Sequence, residues 1–300
     1  MSSRTHNRTH FFKYASLETA ICILESRSFR WSAPTKFNDP FDHQAGFVLN
    51  FSPEEFSQAL ASSIERVIFS DAEPVVTPTT SFSALTLKLR EVRHKFPRTK
   101  ILRELQDLCA QSATILSDSI VGLNAAVQAQ LCHSRVFCVS EKFDNVVMWS
   151  HYADQHKGVV FKLRCVDEID NTLLAARKVQ YTDAFLPFPD ADAYARHLIG
   201  EQPIDFTSLI WNIAYTKHVD WSYEEEWRVH IPLLHEPAGD GYSIYPEDPR
   251  VFEAIYLGCR MEQEDIKKIT ELARLFLPET KLFIGSRSAT SFALSFSRLP

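Results

Sequence analysis

Four polar residues of the stretch HVDWSYEEEWRVHIPLL (218–234) are spaced so that they could share one chemical task. If the segment is a β-strand, alternation puts Glu224, Glu226, Arg228 and His230 on one side and Trp227, Val229 and Ile231 on the other. The apolar side is then core. Two carboxylates two residues apart on one face can hold sugar hydroxyls, act as a base or bind a metal, and a polar row is equally what a solvated strand face carries. A second set lies in MWSHYADQHKG, where Trp149, Tyr152, Ala153 and His156 recur at helical spacing while Ser150 and His151 point off that face. Such an aromatic stripe is either core or the wall of a pocket. Ser140 sits at the strand end FCVSE, a frequent place for ligand contacts, and Lys13 and Tyr14 in FFKYAS face opposite ways, so that one is core and the other free. In NDPFD, Asn38 and Asp39 can pin a turn, or Asp39 and Asp42 can reach a ligand.

The elements that must position these groups are legible from capping and periodicity. FFKYAS reads as a short strand, Ser16 then caps the helix LETAICILESRS, and FRWSAP is a second extended piece before an Asp-Pro turn. From 52 to 133 the pattern turns helical: Ser52, Pro53 and two glutamates open a first helix, and two or three more follow within 81–130. We expect a helical insertion over 52–133. Strand character resumes at RVFCVSE; Asp144 or Asn145 caps a helix VVMWSHYADQHK that Gly158 stops, and the strand VVFKLR follows. KVQYTD and EEWRVHIPLL are further strands and FTSLIWNIAYTKH a further helix, while 250–300 forms a C-terminal strand, helix, strand appendage. The expected fold class is α+β, a single domain over 1–300 carrying these two additions.

Composition limits function rather than naming it. With 45% hydrophobic and 23% charged residues the chain is globular, and its net charge of −6 argues against a broad electrostatic grip on nucleic acid. Six scattered cysteines without a CxxC pair read as reduced thiols; Cys132, His133, Cys138 and His151 match no regular zinc spacing, so no metal is expected there. The start MSSRTHNRTHFFKY lacks an apolar middle and no run reaches about 20 apolar residues. A cytoplasmic protein without membrane contact is expected.

Taken in order, KYASLETAICILESRSFRWSAPTKFNDPFD, FCVSEKFDNVVMWSHYADQHKGVVFKL and KHVDWSYEEEWRV resemble DUF2971, a bacterial family described only as a domain of unknown function. More distantly, the same order of elements is similar to the ADP-ribosyltransferase superfamily. That resemblance implies an ADP-ribosyltransferase-like split β-sheet core and NAD as substrate, with a protein or nucleic acid as acceptor. In the branch resembling diphtheria toxin and poly(ADP-ribose) polymerases, a first-strand histidine binds the adenosine ribose, a hydroxyl residue and a helix tyrosine embrace nicotinamide, and a last-strand glutamate orients the other ribose. Lys13, beside Tyr14, stands where histidine or arginine is expected and would offer its ammonium to pyrophosphate or ribose. Tyr152 or Trp149 would stack on nicotinamide, Ser140 or Ser150 would bond its amide, Glu226 would hold the ribose and Glu224 the acceptor, leaving Glu225 incidental. Such an activity in a bacterium suits a toxin or a phage-defence effector. Two other classes stay open: a Mg²⁺-dependent nuclease using Asp39, Asp42, Glu224 and Glu226, and a non-catalytic protein interaction module.

Overall fold

The computed structural model describes residues 4–43, 46–233 and 239–300, and every side chain among them except those of Ser117 and Cys132. Its first half runs β1 (His10–Ala15), α1 (Leu17–Ser26), β2 (Ser28–Ser32), α2 (Pro53–Phe69), α3 (Ser81–Val92), α4 (Arg98–Thr114), α5 (Leu116–Cys132), β3 (Ser134–Ser140), α6 (Val146–Tyr152) and β4 (Val159–Arg164). The second half runs β5 (Arg177–Lys178), β6 (Gln180–Thr182), α7 (Ala191–Leu198), α8 (Phe206–Ala214), β7 (Thr216–His218), β8 (Glu226–Pro232), β9 (Tyr242–Pro246), β10 (Phe252–Leu257), α9 (Gln263–Phe276), β11 (Lys281–Arg287) and β12 (Leu294–Arg298). Contacts divide the chain into two compact units, one of Met1–Gln44, Gln130–Asp183 and Ala214–Pro300 and the other of Ala45–Ala129 and Ala184–Ile213.

The first unit is built on one large, mostly antiparallel sheet in the order β12-β11-β10-β4-β1-β3-β2-β9, with β8 also paired to β3 and β5 to β8. Alternation along β1 sends Phe11 and Ala15 into the larger core, under α1 and α9, and Phe12 and Tyr14 into a second core on the opposite face. Ser16 caps α1 by accepting from the Thr19 amide, and Ala20, Ile23 and Leu24 form the buried face of that helix. The C-terminal strand, helix and strand are no appendage: β10 pairs along β4, α9 crosses over, and β11 lies parallel to β10, which extends the sheet.

The second unit is helical. Ser52 and Glu55 close a capping box around the start of α2, whose Phe56, Leu60, Ile64, Val67 and Ile68 recur on one face. Each such side chain, fully buried, contributes roughly 1.5–3 kcal/mol. They pack on Ile101, Leu105 and Cys109 of α4 and on Ala195 and Ile199 in and just after α7. The expected insertion over 52–133 is therefore only part of this unit, because a second stretch, Ala184–Ile213, completes it. No helix among the described residues is long and apolar enough to cross a membrane.

Candidate functional site: a cavity beside a buried charge cluster

A strand has two edges for pairing, and β8 occupies one edge of β3 from Ser134 to Ser140. On the other edge β1 meets β3 only at Phe12 with Ser140, and β2 only at Ser32 with Val136. Between those two points the sheet parts. The Cys138 carbonyl left without a strand partner there accepts a hydrogen bond from the Lys13 side-chain nitrogen at 2.8 Å. A cavity of about 440 Å³ opens at the same place, lined from the first unit alone, and its size falls within the roughly 300–1,000 Å³ of small-molecule sites.

At one wall of this cavity three carboxylates meet two cations. Arg228 donates Nε and Nη2 to the two oxygens of Glu226 at 2.8 and 2.9 Å, and Nη1 and Nη2 to the two oxygens of Asp42 at 2.8 and 2.6 Å. Lys217 donates to Glu224 Oε2 at 2.6 Å and to Glu226 Oε2 at 3.3 Å, and lies 3.6 Å from Asp42. All five side chains are buried. Burial alone would raise the Glu226 carboxyl, but Arg228 and Lys217 together hold it well below the usual carboxylate range. Asp42 is likewise lowered against its burial by Arg228 and His43. Glu224 goes the other way, raised by burial and by the charge of Glu226 despite Lys217 and a 2.6 Å hydrogen bond from the Tyr152 hydroxyl to its Oε1. Burial opposes charge on Lys217, yet Glu226, Glu224 and Asp42 keep its ammonium well above its usual value.

The local backbone explains how adjacent glutamates come to share this cluster. Residues 219–224 form a tight turn, and Glu225 is left-handed at φ 43°, which puts Glu224 and Glu226 inward and sends Glu225 out to an ion pair with Lys142. The polar row of β8 is thus no solvated face: Glu226 is 5% exposed and Arg228 0%. His230, next on that row, is pushed down to about 3 by burial and by the nearby His43 and Arg228, and stacks on His43 with ring centroids 6.0 Å apart. The last part of the expected strand, Leu234, lies outside the described residues.

Lys13, Tyr14, Ser140, Tyr152, Glu224 and Glu226 all line the cavity. Their hydrogen bonds separate them. Tyr14 is bound to the Lys142 carbonyl at 2.9 Å and Ser140 to the Glu224 carbonyl at 2.7 Å, which fixes both in the wall. Glu226, expected to hold a ribose hydroxyl, has both oxygens committed to Arg228. The ammonium expected of Lys13 is disfavoured, since burial lowers its value. Trp149 does not face the cavity: it is 0% exposed, its indole nitrogen bonds the Phe143 carbonyl, and Phe296 and Tyr14 pack on it. Ser150 is exposed, does not line the cavity, and bonds the Val146 carbonyl and the His156 ring.

The helix carrying Tyr152 is also shorter than its periodicity suggests. It ends at Tyr152, and Asp154, Gln155 and His156 take φ of 46°, 53° and 70°, a left-handed turn. Gly158 follows because a Cβ there would stand 2.2 Å from the Ala15 carbonyl oxygen. Clustered carboxylates do not by themselves make a cation site: Lys217 and Arg228 are already paired with Asp42, Glu224 and Glu226, and Asp39 accepts the Phe41 amide. Among the described residues no group of three His, Cys, Asp or Glu side chains is placed to hold a metal, and the Cys132 side chain lies outside those described. The nuclease expectation loses its metal site.

Asn38, expected only to pin a turn, and two residues the sequence did not single out, Arg30 and Lys36, complete the cavity. Asn38 donates to the Tyr152 hydroxyl at 3.2 Å. Arg30 and Lys36 both lie against the Tyr242 ring, 4.6 and 5.5 Å from its centroid, and no ion pair joins either to a carboxylate among the described residues. The signal for Lys217 was weak: a single lysine in TKH, with nothing in its spacing to tie it to Glu224.

Fold and site together define a mixed α+β protein with a charged cavity in a parted sheet. Residues 148–229 match the family model described as a protein of unknown function, DUF2971. That segment carries Tyr152, Lys217, Glu224, Glu226 and Arg228, while Lys13 and Asp42 lie outside it. No curated protein and no solved structure matches the chain.

Proposed function

We propose that this chain consumes NAD, as an ADP-ribosyltransferase or an NAD glycohydrolase, with Glu224 as the carboxylate that faces the reacting ribose. The observation that carries this reading is the pairing of Glu224 with Tyr152 in a cavity that also holds the cations Arg30 and Lys36, neither of them ion-paired to a carboxylate among the described residues. Arg30 and Lys36 suit the pyrophosphate, and Phe37, Tyr14 and Met148 give apolar surface for a ring. Lys13 is a hydrogen-bond donor within reach of a ribose. When the bond between nicotinamide and ribose breaks, the pair of electrons leaves with nicotinamide and positive charge develops on the sugar. A carboxylate fixed beside the ribose stabilises that charge, and Lys217 and Tyr152 hold Glu224 in place for it. The raised carboxyl of Glu224 also suits it to take the proton of an incoming water or acceptor hydroxyl.

The test is to incubate the purified chain with NAD and measure nicotinamide. Release that falls about 10²–10⁴-fold in Glu224→Gln is expected. No release with or without cell extract, together with no shift in melting temperature on adding NAD, would overturn the proposal and favour a non-catalytic interaction module.

A further inference from the structure

The described contacts of Lys13 are unusual for a lysine. Its nitrogen donates to the Cys138 carbonyl at 2.8 Å and lies 4.9 Å from the centroid of the Phe137 ring, and no carboxylate of the described residues comes within ion-pair distance. A charged ammonium would have one carbonyl and one ring face here, and no carboxylate of the described residues within ion-pair distance to offset its desolvation. A neutral amine fits better, because it can donate to Cys138 and still present a lone pair. Burial, and to a smaller extent the neighbouring Arg30 guanidinium, lower the value of the amine, outweighing Cys138, Glu226 and Glu224, which raise it. Desolvation next to another cation is the arrangement that turns a lysine into a nucleophile toward carbonyl groups.

The same cavity carries two further cations, both set against one tyrosine ring. Arg30 lies over Tyr242, and the side chain of Lys36 lies across Gly241, where a Cβ would stand 2.7 Å from its Cε. Gly241, at φ 88°, lets that lysine stem settle against the backbone. Both cations thus face the cavity from one loop and strand, with no anion of the described residues paired to them.

We propose that Lys13 is a nucleophilic amine that forms an imine with the aldehyde of a phosphorylated carbonyl compound, the phosphate being held by Arg30 and Lys36. The lone pair of the amine attacks the carbonyl carbon, the amine proton passes to the carbonyl oxygen, and the resulting carbinolamine loses water to give the C=N bond. One water is released and nothing is oxidised or reduced. Glu224 and Tyr152, on the same cavity, are the groups that can move the proton.

The probe is pyridoxal 5′-phosphate, added below one equivalent to the full-length chain near pH 7, trapped with borohydride and mapped by mass spectrometry. Lys13 is expected to carry most of the label, inorganic phosphate to slow its labelling, and Arg30→Ala, a change at an exposed residue, to slow it about tenfold. Label spread over surface lysines with Lys13 unmodified overturns the proposal. So does a Lys13 rate that neither phosphate nor Arg30→Ala changes. The probe contains no nicotinamide and no ribose, so labelling without NAD cleavage would remove the NAD reading and leave this one, and the reverse result would do the opposite.

Discussion

Arg228→Met takes the cation from between two buried carboxylates, and we expect it to cost the fold about 3–5 kcal/mol at pH 7. The guanidinium is 0% exposed and donates to both oxygens of Glu226, both of Asp42 and the Ala214 carbonyl. Lys217 would remain, but it already holds Glu224 at 2.6 Å, so one ammonium would face three carboxylates. At about 2–4 °C per kcal/mol, the melting temperature should fall by roughly 6–20 °C. The pH dependence follows from the signs. In the native protein Asp42 and Glu226 are held below the usual carboxylate range, so the stability they lend is complete above that range and is lost as pH falls through their lowered values. Without Arg228, burial raises both carboxyls, and their penalty near neutrality is relieved as they take up protons. The gap between the two proteins should therefore narrow from about pH 7 to about pH 4. Urea denaturation followed by tryptophan fluorescence reads it, since Trp31, Trp149, Trp221 and Trp227 all belong to the sheet unit. A loss below about 1 kcal/mol, or a gap of constant size across that pH range, would refute the reasoning.

Tyr152→Phe removes the donor to Glu224 Oε1, and nicotinamide release should fall about 10²-fold with the melting temperature little changed. Trp149→Ala should cost about 3–5 kcal/mol in denaturation, as expected of a core ring, whereas Ser150→Ala at an exposed position should stay within about 0.5 kcal/mol. Gly158→Ala forces a Cβ to within 2.2 Å of the Ala15 carbonyl oxygen, and a destabilisation of about 1–3 kcal/mol in the same assay is expected.

Local signals carried much of the fold. The strands at FFKYAS and VVFKLR, the Ser16 and Ser52 caps and the helix α9 follow from capping and periodicity that depend only on neighbours along the chain. The left-handed turn after Tyr152 was not legible, because what ends that helix is the approach of Gly158 to β1, a contact between residues far apart in sequence. The strands β9 and β12 escaped for a related reason: each is an outer strand of the sheet path with no fully buried residue, so neither shows a strong apolar alternation. At the site, EEE drew attention by its charge, but its division of labour could not be read there. Which glutamate is clamped depends on Arg228 meeting Asp42, 186 positions earlier in the chain.

Because the helical unit draws on both Ala45–Ala129 and Ala184–Ile213, its gene segment cannot be excised with a single cut at each end. During synthesis α2 and α4 emerge well before α7, so the groove that receives Ala195 and Ile199 must wait while 130–183 is translated. A deletion of 45–129 alone would leave α7 without α2 and α4 to cover its apolar stripe, an invitation to aggregation. Removal of both segments together is the cut that leaves a lone sheet unit for ligand screening.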